Sequence, residues 1–177
     1  MKKYIVLVLT TIILWSVTVC ESYSQNGLFT STEYHFKYAY DKTQYTITPK
    51  QNQSSHCFCK LVSNKGMNYI LFSAWDIADE STEGSVFEED FISLVKQRDN
   101  SYDFCNAQLL SSCQKTIIGG KEALKSVFLY EAIGIKMIHT TYRVYYKGRL
   151  YTLDFHIPET DFNKNLLNEL AKGIQFN

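Results

Sequence analysis

The residues with the most chemistry to offer are four cysteines that follow the first two dozen positions: Cys57, Cys59, Cys105 and Cys113. In a chain that leaves the cytoplasm, an even set of cysteines reads as two disulfides, and four cysteines allow three connectivities. If His56-Cys57-Phe58-Cys59 lies on a strand, Cys57 and Cys59 point to the same face, roughly 6.5–7 Å apart. Side chains pointing the same way at that distance bond poorly. Each is therefore expected to pair with one of Cys105 and Cys113, and each bridge would stabilise by roughly 2–4 kcal/mol. The chemical alternative is a metal-binding, redox or hydrolytic centre on His56, Cys57 and Cys59, because thiolate and imidazole suit zinc or copper. The Cys-x-Cys spacing is not the usual Cys-x₂-Cys knuckle, and no second ligand pair has good spacing. The structural reading is preferred.

Other candidates are thinner. The histidines are His35, His56, His139 and His156. A nucleophilic Cys–His pair would need Cys57 or Cys59 as a thiolate, and an exported thiol is more readily oxidised. His139 shares strand parity with Arg143. The acidic run Asp76, Asp79, Glu80, Glu83, Glu88, Glu89 and Asp90 lacks the order of a calcium loop; it reads as a solvated loop and helix start. Tyr38, Tyr40, Tyr145 and Tyr151 are of a type suited to interfaces. No catalytic residue, cofactor or metal ligand is expected, and the residues that would bind a partner cannot be named from the sequence.

The oxidising compartment is inferred from the N-terminus. Lys2 and Lys3 precede an almost unbroken apolar run from Tyr4 to Val19. That run suits the core of a secretory signal and falls short of the roughly 20 residues needed to span a bilayer. Ser22-Tyr23-Ser24 places small residues where a signal peptidase requires them, so cleavage before Gln25 is expected. The expected organisation is a signal peptide over residues 1–24 and a single domain over 25–177, periplasmic or secreted. Lipidation of Cys20 is disfavoured, because Val19 stands where a lipoprotein signal wants a small residue. No other segment is long and apolar enough to cross a membrane.

The 177-residue chain has 18 basic and 18 acidic side chains and no net charge. It lacks the electrostatic footprint of a nucleic-acid-binding protein and any polybasic stretch for anionic lipid. Aromatic residues make up 15%, mostly Tyr and Phe; this favours a strand-rich fold.

These side chains have to be positioned by elements whose signals are local. Glu33 to Tyr40 alternates, with Tyr34, Phe36, Tyr38 and Tyr40 on one face. After a turn at Asp41-Lys42-Thr43 the alternation resumes at Tyr45, which predicts a hairpin. A second hairpin is expected from His56 to Val62 and Met67 to Trp75, about Asn64-Lys65-Gly66. A helix is expected from Ser85 to Arg98, capped by Ser85 and Glu88 and carrying the stripe Phe87, Phe91, Leu94 and Val95. Asp103 to Ser112 is ambiguous and compatible with a short helix. Strands are expected over 113–118, 123–132, 136–146 and 149–156, with turns at Gly119-Gly120 and Lys147-Gly148. A closing helix is expected from about Thr160 to Lys172, with Ile174 on its apolar stripe. The expected class is α+β: a curved antiparallel sheet of about six to seven strands with two main helices packed on it.

The second half carries a resemblance. Ile118-Gly119-Gly120-Lys121-Glu122-Ala123 is followed by long strands through Tyr142-Arg143-Val144-Tyr145-Tyr146 and Lys147-Gly148-Arg149-Leu150-Tyr151-Thr152-Leu153-Asp154-Phe155. Together with the end at Ile174-Gln175-Phe176, this resembles the PsbP-like fold superfamily, which includes an extrinsic photosystem subunit, a Ran-binding nuclear protein and many small bacterial envelope proteins. The resemblance covers roughly residues 113–176 well and implies a binding or accessory module without catalytic residues. The functional expectation is an exported, non-enzymatic binding or accessory protein of the bacterial periplasm or cell surface, with a protein partner. One form of it is an immunity protein that neutralises a toxin. The alternative is the metal-binding, redox or hydrolytic protein centred on Cys57 and Cys59.

Overall fold

The computed structural model describes residues 26–49, 56–76, 93 and 105–177. The strands are β1 (Asn26–Ser31), β2 (Phe36–Asp41), β3 (Tyr45–Pro49), β4 (Cys57–Ser63), β5 (Tyr69–Asp76), β6 (Cys105–Ile118), β7 (Lys121–Ala132), β8 (Ile135–Tyr146) and β9 (Arg149–Pro158). Helix α1 (Lys164–Lys172) and β10 (Ile174–Phe176) close the chain.

The strands form two sheets. One has the order β1-β2-β10 and the other β3-β4-β5-β9-β8-β7-β6. The described residues are therefore mostly strand with a single helix among them, rather than one sheet carrying two helices. Of the helix expected at Ser85 to Arg98, only Ser93 is described, and it is helical; the rest lies outside the described residues.

The meander β6-β7-β8-β9 follows from its turns. Gly119-Gly120, Ile133-Gly134 and Lys147-Gly148 all have positive φ at both residues, as the twist of a two-residue hairpin requires. The segment 105–112, compatible with a short helix from sequence, is strand: it pairs with β7 through three register shifts. Bulges of this kind break the local periodicity by which a strand is read.

The first expected hairpin does not form. β2 pairs with β1 and β10, whereas β3 pairs with β4. The turn is real, with the Asp41 carboxylate accepting from the Thr43 backbone and hydroxyl, but it carries the chain from one sheet to the other. The second hairpin forms as expected, from Val62↔Tyr69 to Cys59↔Phe72.

The core lies between the sheets and is aromatic. Phe36 meets Phe72 at 5.0 Å and Phe58 at 5.3 Å, and Tyr38 meets Phe72 at 4.9 Å. Helix α1 adds Leu167 to this cluster, with Leu170 and Ala171 packed against it. Its start lies later than expected because Asn163 caps it, the side chain accepting from Leu166 N at 2.7 Å. Ile174 leaves the helical stripe and joins β10, which pairs with β2.

Candidate functional site

The face of the large sheet turned away from this core carries the polar residues. Directly opposed residues of antiparallel strands share a face, so the register assigns it in three rows. The first is Ser73↔Thr152↔Arg143↔Leu124, the second Leu71↔Asp154↔Thr141↔Ser126, and the third Tyr69↔His156↔His139↔Phe128. The intervening residues Tyr142, Val144, Tyr151, Leu153 and Phe155 face the core.

A polar strand face normally meets water, but this one is buried. His139 is 3% exposed, and His156 and Arg143 6% each. Ser126, Thr141 and Thr152 are also buried.

The third row is a ladder of stacked rings. Tyr69 lies 4.2 Å from His156, His156 lies 4.1 Å from His139 at an interplanar angle of 11°, and His139 lies 5.6 Å from Phe128. Diagonal neighbours tie the rings down. His139 Nε2 is 2.9 Å from Asp154 Oδ1, and His156 Nδ1 is 2.9 Å from the Tyr130 hydroxyl. The Tyr130 hydroxyl is in turn 3.1 Å from that of Tyr69. Burial first, and the adjoining His139 second, push the His156 pKa well below the ordinary histidine value. Burial also raises the Tyr130 phenol well above its usual range. The cause is the same in both: a low-dielectric surrounding disfavours the charged form.

The first row leads to a cysteine. Arg143 donates from one terminal nitrogen to Cys113 Sγ at 3.0 Å, while the Cys113 backbone N–H donates to Ser126 Oγ at 3.2 Å. Cys113 sits at φ 37° within the register shift between Ser111 and Gln114 of β6. Beside Arg143 opens a groove of about 780 Å³ lined by Lys115, Thr116, Ile117, Glu122, Ala123, Leu124, Tyr145 and Leu150.

The cysteines do not make the expected cross-links; no disulfide joins Cys57, Cys59, Cys105 and Cys113. The sheet order separates β4 from β6 by five strand spacings, roughly 24 Å along the sheet, whereas a disulfide needs Cα atoms within about 7 Å. Nor do Cys57 and Cys59 share a face. A register shift between them sets Cys57 opposite Ser73 and Cys59 opposite Phe72, in the core. The Cys57 thiol donates to the Cys59 carbonyl at 3.4 Å. Burial raises both thiol pKa values, that of Cys59 to about 12. His56 turns to the Trp75 ring, at 5.2 Å. The three residues of the alternative centre therefore do not converge. Among the described residues no group of three or more His, Cys, Asp or Glu is placed to hold a metal, and no helix is long and apolar enough to cross a membrane.

His156 and Asp154 carried no role in the sequence reading. Their signal was present as Thr152-x-Asp154-x-His156 alternating with Leu153 and Phe155. Parity placed them opposite the core without telling that the second face is also buried.

No family model and no curated protein sequence matches the chain. Solved structures do. The solution structure of cyanobacterial PsbP (CyanoP) from Synechocystis sp. PCC 6803 superposes with a TM-score of 0.66 at 12% identity, over 86% of this chain and 93% of that one. A crystal structure from Bacteroides thetaiotaomicron VPI-5482 gives a TM-score of 0.53 at 14% identity over 86% of this chain, which spans about half of that one (49%). The chain has a PsbP-like fold.

Proposed function

We propose that this chain is an exported, non-enzymatic binding or accessory protein of the bacterial envelope, and that a protein partner is held in the groove beside Arg143. The observation that carries the reading is the groove itself. Its walls are apolar at Ile117, Leu124 and Leu150, and Tyr145 offers an aromatic surface. Ile117 is 74% exposed and adds to the apolar wall of the groove. Lys115 and Arg143 outweigh Glu122 in charge. This lining, with Lys115 exposed, suits an extended partner segment with an apolar side chain next to a carboxylate. The fold likeness supports an accessory role by analogy, and the N-terminal segment supports export. A toxin-neutralising immunity protein is one form such a partnership would take.

The test is capture from the native envelope with the wild-type chain and with Ile117→Asp, which changes an exposed groove position. The expected outcome is a stoichiometric protein partner retained by the wild type and lost by the variant. A partner retained equally by both would remove the groove from the reading. Recovery of the protein from cytosol with Met1 attached would remove export.

A second reading has one contact in its favour. The Arg143 guanidinium lies against Cys113 Sγ at 3.0 Å, which moves the candidate for cysteine chemistry to Cys113 rather than Cys57 and Cys59. Thiol mapping of the native protein separates the two readings: rapid, selective labelling of Cys113 supports the second, and its slow labelling leaves the binding module.

A further inference from the structure

We propose that β6 is a self-pairing edge: two copies of the chain join antiparallel through residues 114–118, with Thr116 at the two-fold axis, and make one continuous sheet. Among the described residues, the strands at sheet edges are β1, β10, β3 and β6. The first three are short, at 6, 3 and 5 residues, and β3 ends at Pro49. β6 has 14 residues, with Lys115 its one charged side chain and no proline. An edge strand presents a row of backbone donors and acceptors, and proteins that avoid pairing guard such a row with charge, proline or bulges. The guard on β6 is partial. Register shifts interrupt its pairing with β7 up to Gln114, but from Gln114↔Lys125 to Ile118↔Lys121 the ladder is unbroken. Gln114, Lys115 and Ile117 are exposed there.

The occupant follows from charge and register. The chain has 18 basic and 18 acidic side chains, so no net repulsion holds two copies apart at neutral pH. Lys115 and Ile117 lie on the outer face of the sheet, opposite Leu124 and Glu122. Directly opposed residues of an antiparallel pair share a face, so a two-fold axis at Lys115 would set two lysines against each other, which is unfavourable. An axis at Ile117 would run Lys115 against Gly119, which lies past the end of β6 in positive-φ backbone. The axis at Thr116 uses the whole unbroken stretch. It sets each Lys115 opposite the second copy's Ile117, whose row continues to Glu122. The lysine stem then covers the exposed isoleucine while its ammonium extends toward the carboxylate side.

Lys115, Thr116 and Ile117 also line the groove beside Arg143, so the pairing brings two grooves together at the two-fold axis on one face of the joint sheet. The pairing stands whether or not the groove takes a partner. Five residues a side are far fewer than the roughly 20–30 of a standard interface. The dimer is therefore a weak one, with a dissociation constant on the order of 10⁻⁵ M.

The experiment is sedimentation velocity of the chain purified in its native form, from about 1 µM to about 300 µM, a range that brackets the expected constant. The expected result for the wild type is a monomer–dimer equilibrium. Ile117→Lys sets like charges together twice at the joint and should weaken the dimer by about tenfold or more. The new ammonium stands opposite Glu122 of its own chain at an exposed position, so the fold is retained. Lys115→Glu combined with Ile117→Lys places opposite charges at both contacts and should restore the wild-type constant within about threefold. Ile117→Asp removes the apolar wall of the groove but should keep the dimer, because its carboxylate meets the second copy's Lys115. Loss of a groove partner and loss of the dimer are thereby read separately. A wild type that stays monomeric to the highest concentration would overturn the proposal, as would a dimer that Ile117→Lys leaves unchanged or that the double variant fails to restore.

Discussion

Cys59 and Ile133 illustrate how far a single position departs from its type. The Cys59 thiol faces Phe72 in the core and its pKa is pushed up to about 12 by burial. It is therefore an unreactive apolar side chain in the folded state. Alkylation at pH 8 should leave Cys59 unmodified in the native protein and reach it only in denaturant; native labelling as fast as denatured labelling would contradict its placement. The linked stability has a defined sign. The folded value lies above the ordinary 9.0, so the contribution is present below that pH and is lost as pH rises toward 12. Ile133 takes φ 51° in the β7–β8 turn and is 72% exposed. A β-branched residue in left-handed backbone is strained by roughly 1–2 kcal/mol, so Ile133→Asn should raise stability by about 1 kcal/mol in urea unfolding. A lower unfolding midpoint would show that the isoleucine side chain makes a compensating contact. The sequence announced neither feature: the strain depends on where the turn falls, and the burial on which way a bulge rotates the chain.

At the scale of elements, α1 and β2 approach closely at their junction. Gly173 caps the helix with ordinary φ (−67°), so its need for glycine is spatial. A Cβ there would collide with the Ala39 carbonyl oxygen, and Ala39 N donates to Gly173 O at 2.9 Å. Gly173→Ala should therefore cost roughly 2 kcal/mol or more, by forcing helix and strand apart. Its control is Asn163→Ala, which removes the helix cap without crowding and should cost about 1 kcal/mol. If the two substitutions prove equal in thermal unfolding, the close approach is not what the glycine serves. The β8–β9 hairpin and the β4–β5 hairpin were readable from Lys147-Gly148 and Asn64-Lys65-Gly66, since turn chemistry is local. The β2–β3 hairpin was misread for an equally local reason. Asp41-Lys42-Thr43 does turn, but a turn does not specify which partner the next strand will take, and β1 and β10 satisfied β2 instead.

For the whole molecule, the two sheets and α1 bury one aromatic core, while the opposite face of the large sheet holds a second, polar interior of histidine, tyrosine, arginine and threonine. The export reading makes its own prediction here: N-terminal sequencing of protein from the native envelope should begin at Gln25. A chain that begins at Met1 in the cytosol would contradict it. The cysteines also belong to this scale. Pairing them looked sound from count and compartment, but the strand order puts β4 and β6 near opposite ends of a seven-stranded sheet. No local pattern carries that distance.

The sequence by itself determined the strand-rich character, the meander from residue 105 onward in all but its first segment, the capped closing helix in outline and the apolar parity that faces the core. These follow from side-chain period and turn residues, which act over a few positions. Only the tertiary structure decided that β2 and β3 belong to different sheets, that Cys57 and Cys59 face opposite ways, and that His139 and His156 stack across two strands. Those outcomes depend on pairing partners and on a one-residue bulge. A shift of one residue turns every following side chain to the other face, and no local rule in the chain fixes that choice.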